Sequence, residues 1–426
     1  MALMMSETNI MFDDKPIATG YLRPDGKKGI RNSVLIMYTV NCCATIAWRI
    51  GEYFKERGEQ IDVIGNENCF DNQVMIKRLL ALTIHPNIGA VLVVGHGCEF
   101  IQPSRICEFA RSRGRPAEWF YDQSFGTTGS INHGIQHVNK MIETIKNAPR
   151  APFTLADLCF GVRSGGMDAF SGIASNPAVG LFCDLAVARG ATAMFSQLAE
   201  APAAPVTPEA PTTPEALAAP DTKSSIVARA ADAGAARELT AVYDKCVDFC
   251  RNQGFFPITK ANIESGITTI EEKGAAAMLI SGTQPIKGVL KIGALPKSAG
   301  LWYADFLQDD RKDAGFYASG DASELIEFVA LGAHLTLFTT GAGHIIGNPI
   351  GPTIKITGTK ATYTRLSDDI DIDASGVADR SKTLRGVAEE ILEYVAYVAG
   401  GGKTKGELTG HDEGIIFPNY QSPRAV

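Results

Sequence analysis

The apolar positions of this chain alternate between continuous β-branched runs and runs at helical spacing. In the first half, SVLIMYTV (33–40), QIDVIGN (60–66), IGAVLVVGHGCE (88–99) and PAEWFYDQS (116–124) read as strands. Between and after them, CATIAWRIGEYFKERG (43–58), DNQVMIKRLLALTIHPN (71–87), PSRICEFARSRG (103–114) and GSINHGIQHVNKMIETIKNA (129–148) read as helices. A turn-rich stretch, IATGYLRPDGKKGIRN (17–32), leads into the first strand. Strand–helix alternation of this kind predicts a parallel, doubly wound sheet.

The pattern resumes with the strand FTLADLCFGV (153–162), the helix NPAVGLFCDLAVARG (176–190) and the strand ATAMFSQ (191–197). Helices follow at 237–254, 268–280 and 322–333, strands at 288–295, 334–341 and 353–359, and a closing helix at 381–401. The segment APAAPVTPEAPTTPEALAAPD (201–221) is almost all Ala, Pro, Thr and Glu, so it has nothing with which to build a core. The expected fold class is therefore α/β, with two doubly wound, mostly parallel-sheet domains and a mobile Pro/Ala-rich insertion. The expected boundaries are 17–150 and 151–401, with the disordered segment at 201–236 and a C-terminal tail at 402–426.

Length agrees with more than one domain, since 426 residues exceed the size at which single cores stop growing. The net charge of −7 opposes nonspecific binding to nucleic acid or to an anionic membrane surface. No apolar run reaches membrane-spanning length, and the Met-rich N-terminus lacks the basic and apolar regions of an export signal. Nine cysteines, an odd number with no CxxC pair, fit reduced thiols and a cytoplasmic location.

Candidate chemistry gathers at predicted strand ends, where open α/β sheets bind ligands. Asn41-Cys42, the Asn66–Cys69 stretch and the His96–Glu99 stretch all fall there. Asn41-Cys42 borders a crevice or forms a helix cap with a buried thiol. Cys69, His96, Cys98 and Glu99 offer mixed thiolate, imidazole and carboxylate ligands for a metal, or a satisfied histidine among buried thiols. Arg31-Asn32 precedes the first strand, where Arg31 either clamps a substrate carboxylate or lies beside a turn.

In the second half, Ser164-Gly165-Gly166 with Asp168 reads as an anion-gripping loop or as a structural turn. Thr340 and His344 lie in a second strand-end Gly loop, TTGAGH, where His344 is a candidate acid, base or ligand. Asp369, Asp371 and Asp373 alternate and read as a solvated strand face.

GYLRPDGKKGIRN followed by a strand and TVNC resembles the altronate/galactarate dehydratase family in its large catalytic region. HPNIGAVLVVGHGCE, GGMDAFSGIASNPAVG, LTLFTTGAG with GPTIKITGT, and DDIDIDASG resemble further segments of that family in the same order. The resemblance spans roughly residues 18–400. It implies β-elimination from a hydroxylated sugar acid, or, as in a related branch, expulsion of sulfite from a sulfonated hydroxy acid. It implies catalytic roles for Cys42, Glu99 and Asp168, and His344, which stands where the family usually has another residue, joins them as a catalytic candidate from its place in the loop. Binding of the substrate carboxylate falls to Arg31, Asn32, Asn41, Ser164, Gly165, Gly166 and Thr340. It also implies a divalent metal, iron or manganese, for which Cys69, His96, Cys98 and Glu99 are the candidate ligands although His96 stands where the family usually has another residue, a homo-oligomer, and a small domain that here would come as a separate subunit. The sequence departs from the family pattern where a histidine motif becomes Ile64-Gly65-Asn66-Glu67-Asn68-Cys69-Phe70. It departs again where a loop cysteine becomes Ser164, and where Ser-Glu-Thr-Pro-Glu becomes Ser196-Gln197-Leu198-Ala199-Glu200.

Overall fold

The computed structural model describes residues 15–67, 69, 73–197, 222–253, 258, 260–267, 269–306 and 320–413. The first α/β unit is a four-stranded parallel sheet in the order β4-β3-β5-β6. Its strands are β3 (Ser33–Tyr38), β4 (Ile61–Gly65), β5 (Ile88–Gly95) and β6 (Ala117–Tyr121). Strand side chains alternate between faces, so one continuous apolar run serves two helical layers. Val34, Ile36, Leu92 and Val94 pack with α1 (Ala44–Lys55) and α4 (Gly126–Ile145). Leu35, Met37, Val91 and Val93 pack with α2 (Gln73–Thr83) and α3 (Pro103–Ser112).

An antiparallel ribbon, in the order β2-β1-β7, joins the two units. It comprises β1 (Ala18–Leu22), β2 (Lys28–Gly29) and β7 (Arg150–Phe153). The predicted strand at 153–162 is thus two strands. Thr154 and Asp157 form a reciprocal capping box around a short turn, which ends β7 before β8 (Cys159–Ser164) begins.

The second unit is a seven-stranded parallel sheet in the order β10-β11-β9-β8-β12-β13-β14. The remaining strands are β9 (Thr192–Phe195), β10 (Ile286–Lys291), β11 (Gly300–Asp305), β12 (Leu335–Thr339), β13 (Thr353–Thr357) and β14 (Ile372–Asp373). Strand β11 was not expected, because GLWYAD has no β-branched residue and no alternation. Helices α5 (Asn176–Val187) and α12 (Leu384–Ala399) share one core with this sheet. Further helices complete the unit: α6 (Thr222–Val227), α7 (Ala233–Gln253), α8 (Lys260–Glu264), α9 (Ile270–Leu279), α10 (Asp321–Ala330), α11 (Lys360–Arg365) and α13 (Lys405–Thr409).

Two compositional boundaries need correction. Residues 222–227 and the start of α7 are helical, and Ile226, Ala235 and Leu239 are buried, so order begins before residue 236. The Pro-rich stretch 201–221 lies outside the described residues. The expected tail is packed as far as residue 413, because α13 docks through Glu407 onto Arg31. Residues 414–426 also lie outside the described residues.

The two units share core. Ile326, Val329 and Ala330 of α10 pack with Met75, Leu79 and Leu82 of α2. Arg78 pairs with Glu327 at 2.5 Å along this contact, and beyond the ends of both helices His85 meets Ala333 O at 3.0 Å. The contacts advance together along both helices, so α2 and α10 run the same way. Both helices start from carboxyl strand ends, so the two sheets point those ends in the same direction. Among the described residues, no helix is long and apolar enough to cross a membrane.

Candidate active site

In the four-stranded sheet, the chain leaves β3 first to β4 on one side and then to β5 on the other. The crevice beyond the carboxyl ends of β3 and β5 is therefore the topological switch point. Thr39 follows β3 and donates from Oγ1 to Glu99 Oε1 at 2.6 Å across that crevice. The His96 amide donates to the same oxygen at 3.0 Å, and the Gly97 amide donates to Oε2 at 2.7 Å. Gly97 sits at φ 125°, a conformation that a side chain would strain. Burial works against the charge on Glu99, but the Thr39 hydroxyl and the Gly97 and His96 amides outweigh it and hold the carboxyl below its usual range. Glu99 thus fixes the turn that presents His96.

His96 Nδ1 lies 2.8 Å from Asp122 Oδ1, and Asp122 is buried at the end of β6. A carboxylate only accepts, so Nδ1 carries the proton and Nε2 holds the lone pair. Gln123 Nε2 approaches that lone pair at 3.3 Å. The His96 side chain is 29% exposed, so the ring borders the crevice with Gln123 against its Nε2. Asp122 was missed in the sequence because it was read only as the end of a strand. The same strand-end rule that singled out His96 points to it.

Asn41 and Cys42 lie exposed on the rim of this crevice, in a short 3-10 turn after β3. Asn41 caps nothing, and the buried thiol there is Cys43. Cys98 is exposed and Cys69 half-buried. Burial first, then the neighbouring Cys98, Cys42 and Glu99, push the Cys69 thiol upward, so it stays protonated. The predicted metal set is not assembled. Both Glu99 oxygens and His96 Nδ1 are bonded to protein donors or acceptors. Among the described residues, no three His, Cys, Asp or Glu side chains converge as ligands. The donor set of the described residues, with its oxygens and Nδ1 so bonded, does not fit a resident iron or manganese.

The larger sheet has its own switch point, between β8 and β12, and the loops 164–166 and 340–344 lie there side by side as their sequence position implied. They are closed against each other. Gly165 N donates to Thr339 O at 2.9 Å, and Gly341 N donates to Gly166 O at 2.9 Å. The Ser164 amide donates to Gln197 Oε1, and the Asp168 amide to Ser171 Oγ. Ser164, Gly165 and Asp168 therefore have no amide left for an anion, which removes those three amides from the anion-loop reading. Ser164 Oγ is buried without a hydrogen-bond partner. Asp168 is a structural cap rather than a catalyst, because it accepts from Ser171 N, Ser171 Oγ and Thr359 Oγ1. Gly166 is exposed, and its carbonyl accepts from the opposite loop. Thr340 is buried, and its hydroxyl accepts from Gly343 N within its own turn.

His344 Nε2 faces Asp321 Oδ2 at 3.4 Å, while its Nδ1 accepts from Ile346 N. Asp321 also meets Arg163 Nε at 3.3 Å, and Arg163 Nη1 lies 3.1 Å from Glu324. Burial opposes ionisation of Asp321, yet His344 and Arg163 hold its carboxyl low. His344 is thus a member of a partly buried charge network whose other members the sequence did not single out.

Arg31 is the clearest correction. It precedes β3, at the amino end of the sheet, and its guanidinium is fully committed. Nε and Nη2 grip both Glu407 oxygens at 3.0 Å, and the other N–H groups donate to Ile30 O, Val398 O and Gly402 O. Asn32 lies beside it, bonded to Arg23 and Ile145 O. A cavity of about 320 Å³ opens at this amino end, lined by Arg31, Lys55 and Asp62 among others, remote from His96. Asp371 is likewise not solvated: it is buried and accepts from Lys355 N, Tyr394 Oη and Lys405 N.

Residues 20–146 match the second domain of D-galactarate dehydratase/altronate hydrolase. Residues 155–207 and 211–422 match the C-terminal domain of D-galactarate/altronate dehydratase. The chain belongs to the D-galactarate/altronate dehydratase family. Among its relatives in this family, it is 28% identical over 418 residues to the (2R)-sulfolactate sulfo-lyase subunit beta of Chromohalobacter salexigens, covering 95% of this chain and 97% of that one. It is 27% identical over 442 residues to the altronate dehydratase of Bacillus subtilis, covering 95% of this chain and 80% of the other. It is 26% identical over 344 residues to the galactarate dehydratase (L-threo-forming) of Escherichia coli, covering 78% of this chain and 60% of the other.

Proposed function

We propose that the chain is a carbon–oxygen or carbon–sulfur lyase that performs β-elimination on a small 2-hydroxy carboxylic acid. The observation that carries this reading is the Asp122–His96 pair at the switch point, its His96 ring partly exposed beside the crevice. His96 Nε2 takes the proton from the carbon beside the carboxylate. The C–H electron pair forms the C=C bond as the group on the next carbon leaves, either as sulfite with the C–S electron pair or as hydroxide, which takes the proton back from the His96 imidazolium and departs as water. The resulting enol tautomerises to a 2-keto acid. Asp122 stabilises the imidazolium that forms, and the Glu99-braced turn fixes where it forms.

The names of the relatives support this chemistry, because a dehydratase and a sulfo-lyase differ in the leaving group and share the first step. Similarity across 97% of a protein named as a subunit beta supports a separate small partner subunit. The test is an assay of the purified chain, alone and with co-expressed candidate small subunits, on D-altronate, galactarate and 3-sulfolactate, reading 2-keto acid and sulfite. Turnover of at least one, abolished in His96→Gln, is the expected result. Tight binding of such acids without turnover in any preparation would instead identify a non-catalytic binding subunit.

A further inference from the structure

Helix α4 carries a pair of histidines that the elimination chemistry does not use. His133 and His137 are four residues apart, so they share one face of the helix. Their Nε2 atoms face each other at 3.0 Å. Both rings are held by aromatic neighbours. Phe125 stacks on His133 with centroids 4.4 Å apart and planes at 24°. Phe120 meets His133 edge-on at 5.2 Å and lies nearly parallel to His137 at 6.5 Å.

We infer that His133 and His137 form a two-imidazole binding site for a late first-row divalent cation such as Zn²⁺ or Ni²⁺. Metal–nitrogen bonds of about 2.0–2.1 Å, meeting at angles from a right angle to tetrahedral, place their nitrogens about 2.9–3.4 Å apart. The observed spacing falls within that bite. Imidazole nitrogen suits these ions, whereas Mg²⁺ and Ca²⁺ require oxygen ligands. In the ion-free protein, one Nε2 donates its proton to the other. On binding, that ring carries its proton on Nδ1 instead, and both Nε2 lone pairs face the ion. Neither Nδ1 has a protein partner among the described residues, so either can turn its proton to water. No third His, Cys, Asp or Glu joins the pair among the described residues, so water fills the remaining positions. The site reaches the catalytic side through Phe125, which directly follows the turn Asp122–Ser124.

The experiment is calorimetric titration of the metal-stripped full chain with Zn²⁺ and, separately, Ni²⁺. It compares wild type, His133→Asn, His137→Asn, and a Cys69→Ser/Cys98→Ser variant that removes competing thiols. One ion per chain is expected in wild type and in the thiol variant, with affinity weakened at least tenfold by either histidine substitution. Hydrogen exchange on wild type gives a second reading that does not depend on variants folding: Zn²⁺ should slow exchange of the α4 amides. Binding that survives both histidine substitutions, or no binding up to millimolar ion, or no change in α4 exchange, overturns the inference.

Discussion

His96 and Asp122 lie 26 residues apart in sequence and meet at 2.8 Å across the ends of β5 and β6. This contact fixes which imidazole nitrogen is basic. Asp122→Asn should leave the fold intact but supply an amide that can donate, which favours the wrong tautomer. On the proposed reading, kcat falls by roughly 100-fold or more, while Tm moves little. A variant with normal kcat would remove His96 from the role of base.

Glu99 organises the same turn from below. Glu99→Gln replaces one carboxylate acceptor with an NH₂ that confronts backbone N–H groups or the Thr39 hydroxyl. It should cost about 1–3 kcal/mol of stability, and kcat should fall with it because the His96 turn loosens. Thr39→Val should produce a smaller loss of the same kind. Urea unfolding alongside kinetics checks both. A Glu99→Gln protein of unchanged stability with abolished activity would restore a direct chemical role to the carboxylate.

Arg31 and Glu407 tie the C-terminal helix to the first sheet, with side chains 6% and 25% exposed. Lysine cannot reproduce a planar fork with five donors. Arg31→Lys should therefore destabilise by roughly 3 kcal/mol and leave KM unchanged in the folded fraction. A raised KM with unchanged stability would revive the role of substrate clamp.

Acid should loosen the base of the molecule, where His85 and His334 are buried. Burial first pushes the His334 imidazole down to about 4, and His85 is held well below its usual value by burial and by His334. Their bonds need the neutral ring: Nδ1 of His334 accepts from Cys159 N, and Nε2 donates to Lys28 O. Unfolded imidazoles titrate near ~6.5. The stabilisation is therefore complete above that pH and is lost as pH falls from there toward 4, because only the unfolded chain takes up the proton. From His334 alone the loss at about pH 5 is on the order of 2 kcal/mol. Urea unfolding at neutral and mildly acidic pH measures it, and His334→Gln should flatten the slope.

The sequence by itself determined the α/β class, the strand and helix alternation and the placement of candidate chemistry at strand ends. Those features follow from local periodicity, which each segment carries alone. It therefore located His96, Glu99, Cys42 and the two Gly loops at carboxyl strand ends. It could not say which polar groups were already satisfied. Arg31 looked free until Glu407 arrived from the far end of the chain, and Asp168 looked reactive until Ser171 and Thr359 filled its oxygens. Only the tertiary structure decided these cases. A buried donor or acceptor is bonded by whichever partner the fold delivers, and that partner is set by packing between distant segments rather than by spacing along the chain.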